Sequence, residues 1–144
     1  MTLPPTGRLL AVDVGHVRVG LAICDAGRVV ASPLENYTRR GDAQDALFFQ
    51  KLAKAERVVG LVVGLPIMLD GSEQTQANGS RAYGAWLANA TGLPCDFHDE
   101  RFTSSLADDV LLAAGLTKKQ RKARRDMLAA RLILQGYLEA HPPA

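Results

Sequence analysis

A chain of 144 residues with 47% apolar and 22% charged side chains has the balance of one globular domain, which excludes a disordered or low-complexity scaffold. No apolar run approaches the roughly 20 residues that span a bilayer. The N-terminal residues lack the apolar core of an export signal, and Cys24 and Cys95 sit in no metal- or disulfide-type spacing. Together these features predict a single domain over residues 1–144, cytoplasmic, with reduced thiols and no membrane partner. The net charge of +2 hides an asymmetry. Residues 117–131 hold seven basic side chains (Lys118, Lys119, Arg121, Lys122, Arg124, Arg125 and Arg131) and one acid, Asp126, while the rest of the chain has ten basic and fourteen acidic groups. An acidic body with one basic segment suits a polyanion docking there.

In chain order, the short apolar run Arg8–Val14 predicts a buried strand. Gly15 and His16 signal a turn, and Val17–Cys24 a second strand. Asp25-Ala-Gly27 reads as a hairpin turn into a third strand over Arg28–Pro33, so the first three strands form an antiparallel meander. Asp42–Ala55 follows with mixed helical spacing and Asp42 as its N-cap. Val58–Gly64 is a continuous β-branched run, as in a parallel strand covered on both faces. Asp70-Gly-Ser-Glu73 caps a helix from about Ser72 to Thr91, which Gly92-Leu-Pro94 ends. Cys95–Asp99 is a last short strand, and Ser104–Ala114 a helix stopped by Gly115. Thr117-Lys-Lys-Gln120 has the spacing of a capping box. Beyond it Ala129, Ala130, Ile133, Leu134, Tyr137 and Leu138 recur as one helical stripe packed on the core. The order β-β-β-α-β-α-β-α-α describes an α/β domain with a mixed five-stranded sheet flanked by helices.

Three carboxylates stand where chemistry would use them. Asp13 lies inside the apolar strand Leu9–Gly15, where a buried charge is costly unless paired or bound to a cation. Gly15 and Gly20 flank it and would let a phosphate come close. Glu100 follows a short strand within His98-Asp-Glu-Arg-Phe-Thr-Ser104, on the side of an α/β sheet where ligands bind. Strand alternation keeps Asp99 and Glu100 from facing one site. Asp126 lies three and four residues before Ala129 and Ala130, at the start of the core-facing stripe. Three such acids suit an oxygen cage for Mg²⁺ or Mn²⁺. Two ions about 4 Å apart could activate water and stabilise the leaving oxygen of a phosphodiester. Arg101 could orient Glu100 or meet a phosphate bidentately. Structural roles remain open for the same residues: Asp13 as a turn cap, Asp126 as a partner of neighbouring arginines, and Thr103 or Ser104 as helix caps. The loop with Asp70, Gly71 and Ser72 leads into a helix N-terminus, a ready phosphate site but no P-loop. His16 and His98 have no ligand-like spacing and read as bystanders. Trp86, beside Tyr83 and Leu87, reads as core rather than as a platform for a base.

Leu10-Ala-Val-Asp-Val-Gly-His-Val-Arg-Val-Gly-Leu-Ala22, Val63-Gly-Leu-Pro-Ile-Met-Leu-Asp-Gly-Ser72, Asp99-Glu-Arg-Phe-Thr-Ser104 and Asp126-x-x-Ala-Ala-x-x-Ile-Leu-Gln-x-Tyr-Leu138 together resemble the YqgF family, described as Holliday junction resolvases or pre-16S rRNA nucleases. The one small departure is Phe102, where another apolar residue is expected. The resemblance implies an RNase H-like fold related to RuvC-type resolvases and a divalent-metal carboxylate triad at Asp13, Glu100 and Asp126. It implies maturation of the 5′ end of small-subunit ribosomal RNA, with cleavage of Holliday junctions or other branched or single-stranded DNA as the second role. Arg18, Arg101 and the basic side chains from Lys118 to Arg125 would then contact the nucleic acid. Gly15, Asp70, Gly71, Ser72, Thr103 and Ser104 would be its phosphate contacts, and the protein would act as a monomer or homodimer. Two other readings compete. A kinase or ATPase of the actin-like kind shares the Val12-Asp-Val-Gly15 pattern, but needs two domains to clamp a nucleotide. A non-catalytic RNA-binding factor would use the basic segment and gain nothing from acids beside phosphates.

Overall fold

The computed structural model describes residues 3–65, 75–99, 115 and 117–142, with the side chains at 75–78, 119, 121–123 and 126 outside that description. Strand β1 (Arg8–Val14) lies at the centre of a five-stranded mixed sheet of order β3-β2-β1-β4-β5. It pairs antiparallel with β2 (Arg18–Cys24) and parallel with β4 (Val58–Leu65), and β4 pairs parallel with β5 (Cys95–Asp99). The meander and the doubly covered parallel strand are as the hydrophobic pattern predicts.

The third strand is not. β3 runs over Ala31–Thr38 rather than Arg28–Pro33. Asp25 explains the difference. Its Oδ1 accepts from the backbone N–H groups of both Val29 and Val30 at 2.8 Å, and Arg28 adopts a left-handed φ of 59°. The turn therefore consumes residues that look like strand formers. Pro33 is tolerated because β3 is an edge strand.

Helix α1 (Asp42–Ala55) has the predicted bounds, but its N-cap is Gly41 at φ 126°, without a side-chain cap, and Asp42 is its first residue. Asp45 in the same turn is buried. Its Oδ1 accepts from the Tyr37 hydroxyl at 2.6 Å and from the Arg40 N–H at 3.0 Å, tying the helix start to β3. Helix α2 spans Thr75–Thr91, and the Asp70–Glu73 cap predicted for it lies outside the described residues, as does the helix predicted over 104–114. Helix α3 (Lys118–Ala140) opens with the predicted capping box. Thr117 Oγ1 accepts from Gln120 N–H at 3.2 Å, and Gln120 Oε1 accepts from Thr117 N–H at 2.9 Å.

Side-chain alternation along the strands splits the core in two. Leu9, Ala11, Ala22, Cys24, Ala31 and Val62 pack under Ala130, Ile133, Leu134, Tyr137 and Leu138 of α3. Leu10, Val12, Val19, Leu21, Leu61 and Val63 pack on the other face with Phe49 of α1 and Tyr83 and Leu87 of α2. No helix among the described residues is long and apolar enough to cross a membrane.

Candidate active site

Asp13 is the penultimate residue of the central strand, half-buried, and opposite Gly20 of β2. Leu9 and Ala11 face α3, so alternation puts Asp13 on that same face, at the carboxyl end of β1. The glycine opposite contributes no side chain to compete for the space beside it. Gly15 has its own reason to be glycine. A Cβ there would stand 2.4 Å from the carbonyl oxygen of Arg18, so the β1–β2 turn excludes any side chain. Arg18 opens β2 and is exposed.

Residue 126 belongs to α3, three, four and seven positions before the buried Ala129, Ala130 and Ile133. Its place in the sequence of α3 thus shares the helical register of those three residues. Glu100 lies outside the described residues, as do Arg101, Thr103, Ser104, Asp70, Gly71 and Ser72. Among the described residues no three metal-type side chains gather into one group. What the described side chains supply toward a cation is one half-buried carboxylate, Asp13, at a strand end. Hard oxygen donors of that kind suit Mg²⁺ or Mn²⁺ rather than a soft metal.

The basic segment occupies the N-terminal half of α3. Lys118 and Arg124 are exposed and Arg125 is half-buried, and Lys119, Arg121 and Lys122 share that half of the helix. Cations at a helix N-terminus oppose the macrodipole, each by about 0.3–1 kcal/mol. The first turn has no acid to offset them. The segment is thus built against helix stability and in favour of a strongly positive helix start. Arg131 is separate from it: its Nε donates to the Ala31 carbonyl at 3.1 Å, fastening α3 to β3.

The far half of α3 is fastened to β5. The Tyr137 hydroxyl donates to Asp96 Oδ2 at 2.9 Å, and His141 stacks on the Tyr137 ring at 4.1 Å. Burial, and then the bond to Asp96, push the Tyr137 phenol well above its ordinary range. His98 sits edge-on to Tyr137, and burial lowers its pKa despite the nearby Asp99 carboxylate. Cys24 is buried and Cys95 half-buried, and both are free thiols. Desolvation raises both, Cys95 to about 11, which disfavours the thiolate form of each.

One feature escaped the sequence. At the same end of β1, on the opposite sheet face, α1, α2 and the β1–β2 turn enclose a cleft of about 670 Å³. Trp86 is half-buried: it packs against the core of that face, as its spacing predicts, and also lines the cleft. The i, i+3 spacing of Tyr83 and Trp86 was visible in the sequence, but nothing there brings Arg39 beside them.

The profile of the RuvX family, described as Holliday junction resolvase, matches residues 7–140. A Rhodopirellula baltica protein named "Putative pre-16S rRNA nuclease" is 46% identical over 95% of this chain and 79% of its own length. Proteins of the same name from Lactococcus lactis subsp. cremoris and Sphingopyxis alaskensis are 41% and 39% identical, over 93% and 96% of this chain and 95% and 90% of their own lengths. Among solved structures, Thermus thermophilus RuvC in complex with a Holliday junction substrate superposes with a TM-score of 0.58 at 13% identity, covering 96% of this chain and 99% of that one. The yeast mitochondrial Holliday junction resolvase Ydc2 superposes at 0.51 and 12% identity, over 95% and 80%. These likenesses give the sheet and its helices as the RuvC-like form of the RNase H-like fold. By the family match and the relatives' identity alike, the chain belongs to the RuvX family.

Proposed function

We propose that this protein is a metal-dependent nuclease that hydrolyses phosphodiester bonds of pre-16S ribosomal RNA during maturation of its 5′ end, in the cytoplasm. The observation that carries the reading is Asp13: a half-buried carboxylate at the carboxyl end of the central strand, on the face that α3 covers, in a chain whose relatives bear a nuclease name. Glu100 and Asp126 complete the acidic set. Bound Mg²⁺ or Mn²⁺, as one ion or a pair, supplies polarisation of the phosphodiester and a more acidic water. The chain's own residues do the rest. Asp13, Glu100 and Asp126 offer oxygen donors and hold the charge of the site negative until a cation enters. Arg18, Arg101 and the basic half of α3 hold the sugar–phosphate backbone, with affinity that falls steeply in salt. Gly15, Asp70, Gly71, Ser72, Thr103 and Ser104 are the proposed phosphate contacts.

A second reading, resolution of Holliday junctions or cleavage of other branched DNA, is favoured by the family description and by the RuvC-like fold. One assay tests both. Purified protein is incubated with end-labelled pre-16S RNA carrying its 5′ extension, and separately with a four-way DNA junction, in Mg²⁺, Mn²⁺ or EDTA. Shortening of the RNA that requires the metal is the expected result. Symmetric nicking of the junction with intact RNA would move the function to DNA. Tight RNA binding with no cleavage in any metal would leave a binding factor and overturn the nuclease.

A further inference from the structure

Asp13 and Val14 are neighbours that point to opposite faces of the sheet. On the Val14 side, β1 ends in the cleft of about 670 Å³, within the roughly 300–1,000 Å³ of small-molecule sites. Val14, Arg39, Asp42, Ser80, Tyr83 and Trp86 contribute to its wall. The Trp86 indole is half-buried and lies tilted at 45° to the Tyr83 ring, with 5.3 Å between centroids. The Arg39 guanidinium sits 5.0 Å from the Tyr83 centroid, fixed by a 2.9 Å bond from Nη1 to the Gly15 carbonyl. A guanidinium has five donors, so this bond leaves Arg39 donors for an anion. Tyr83 is 8% exposed, and its buried hydroxyl has no hydrogen-bond partner among the described residues. A polar ligand edge would relieve that. His16 also lines it. Against Arg39 stand the exposed Asp42 and the buried Asp45, which is already bonded to Tyr37 and Arg40.

We infer that this cleft receives one unpaired nucleobase of the strand being cut, stacked on Trp86, which Tyr83 backs, with a flanking phosphate on Arg39. Aromatic rings beside arginine are what single-stranded nucleic acid uses, because every base has a π-face. The position decides between substrate and unrelated ligand. A strand crossing the sheet edge past Asp13 meets the cleft on the other side of the same two residues. The inference deepens the nuclease reading and rests on it for a nucleic-acid substrate, but not on cleavage.

Trp86 is the single tryptophan of the chain, so its emission reports on this cleft alone. The full-length protein in EDTA is titrated with a short single-stranded RNA, the same RNA with one abasic position, its duplex, and AMP and UMP. Saturable quenching is expected from the single strand, weaker by about tenfold or more from the duplex and from the mononucleotides, with the abasic RNA losing it when the gap reaches the cleft. Binding read separately by RNA anisotropy falls about tenfold in Trp86→Ala and Arg39→Ala and returns in Trp86→Phe, which keeps a ring. Undiminished binding in Trp86→Ala, or unchanged emission while anisotropy shows RNA bound, overturns the cleft and leaves the nuclease standing. Quenching by AMP or UMP as tight as by RNA makes the site one for free nucleotide and overturns the substrate role. Base-dependent quenching in a protein that cuts neither substrate overturns the nuclease instead.

Discussion

Toward α3 the sheet presents small and aliphatic side chains, with Ala11, Ala22 and Ala31 beneath Ala130 and Ile133. Toward α1 and α2 it presents Val12, Leu21 and Val63 to a layer rich in aromatic rings. Tyr37 stacks on Phe48 at 3.9 Å and Phe49 packs edge-on to both. Alanines on both partners let a helix lie low on the strands and fix its register, which suits a face that must bring a helical residue up to a strand carboxylate. Large rigid rings fill the middle of the opposite face but leave its end open, and there the Tyr83–Trp86 cleft forms. One sheet thus separates candidate chemistry from candidate recognition by the thickness of a strand.

The sharpest way to break that division is Asp13→Asn. It should lower cleavage about 1,000-fold or more, the rate equivalent of several kcal/mol. The fold and the Trp86 signal should be unchanged, as judged by circular dichroism and RNA titration. Substantial residual cleavage would detach chemistry from the α3 face. Packing comes next. Phe49→Ala should cost about 3–5 kcal/mol and Ile133→Ala about 2–5 kcal/mol in urea unfolding, since both side chains are fully buried. A loss under 1 kcal/mol at either would deny that face its part in the core.

Gly84→Ala probes how closely α2 approaches β5. The added Cβ would lie 2.8 Å from Phe97 Cε1 and 3.2 Å from Cys95 Sγ, so about 1–3 kcal/mol of destabilisation is expected despite alanine's better helix propensity. Increased stability would show that Phe97 yields freely. Reversing Arg124 and Arg125 to Glu should weaken RNA binding and flatten the log–log salt slope by roughly one per lost phosphate contact. An unchanged slope would disconnect α3 from the substrate.

The smallest effect concerns His98. Burial holds its folded pKa below the ordinary 6.5, so the unfolded chain takes up the proton first. Its contribution to stability is therefore complete above pH 6.5 and declines as pH falls below that value toward the folded pKa. His98→Gln should flatten this part of the stability–pH curve, and an identical curve would show that His98 does not sense the packing of α3.

What was legible in the sequence was local. The strand Arg8–Val14, helix 42–55 and the Thr117–Gln120 capping box each depend on signals a few residues apart, and each is where the pattern puts it. β3 was misplaced because a single carboxylate, Asp25, captures two amides and lengthens a turn that its neighbours do not announce. The position of Asp13 was readable, since a charge in an apolar strand stands out, and its face follows from alternation. The cleft was not readable. It needs the β1–β2 turn, the start of α1 and the middle of α2 at one place, and only the parallel crossovers bring them together.

The covering of β1 by α3 has a consequence for biogenesis. The β1–β2–β3 meander can form from its own turns, but the parallel pairing of Leu9 with Gly60 must wait for a long loop to close. Leu9, Ala11 and Ala22 stay uncovered until residues 118–140 have left the ribosome and docked. During translation the sheet therefore carries a bare apolar surface that a holdase chaperone would recognise, and Asp13 opens onto solvent until the last described helix arrives.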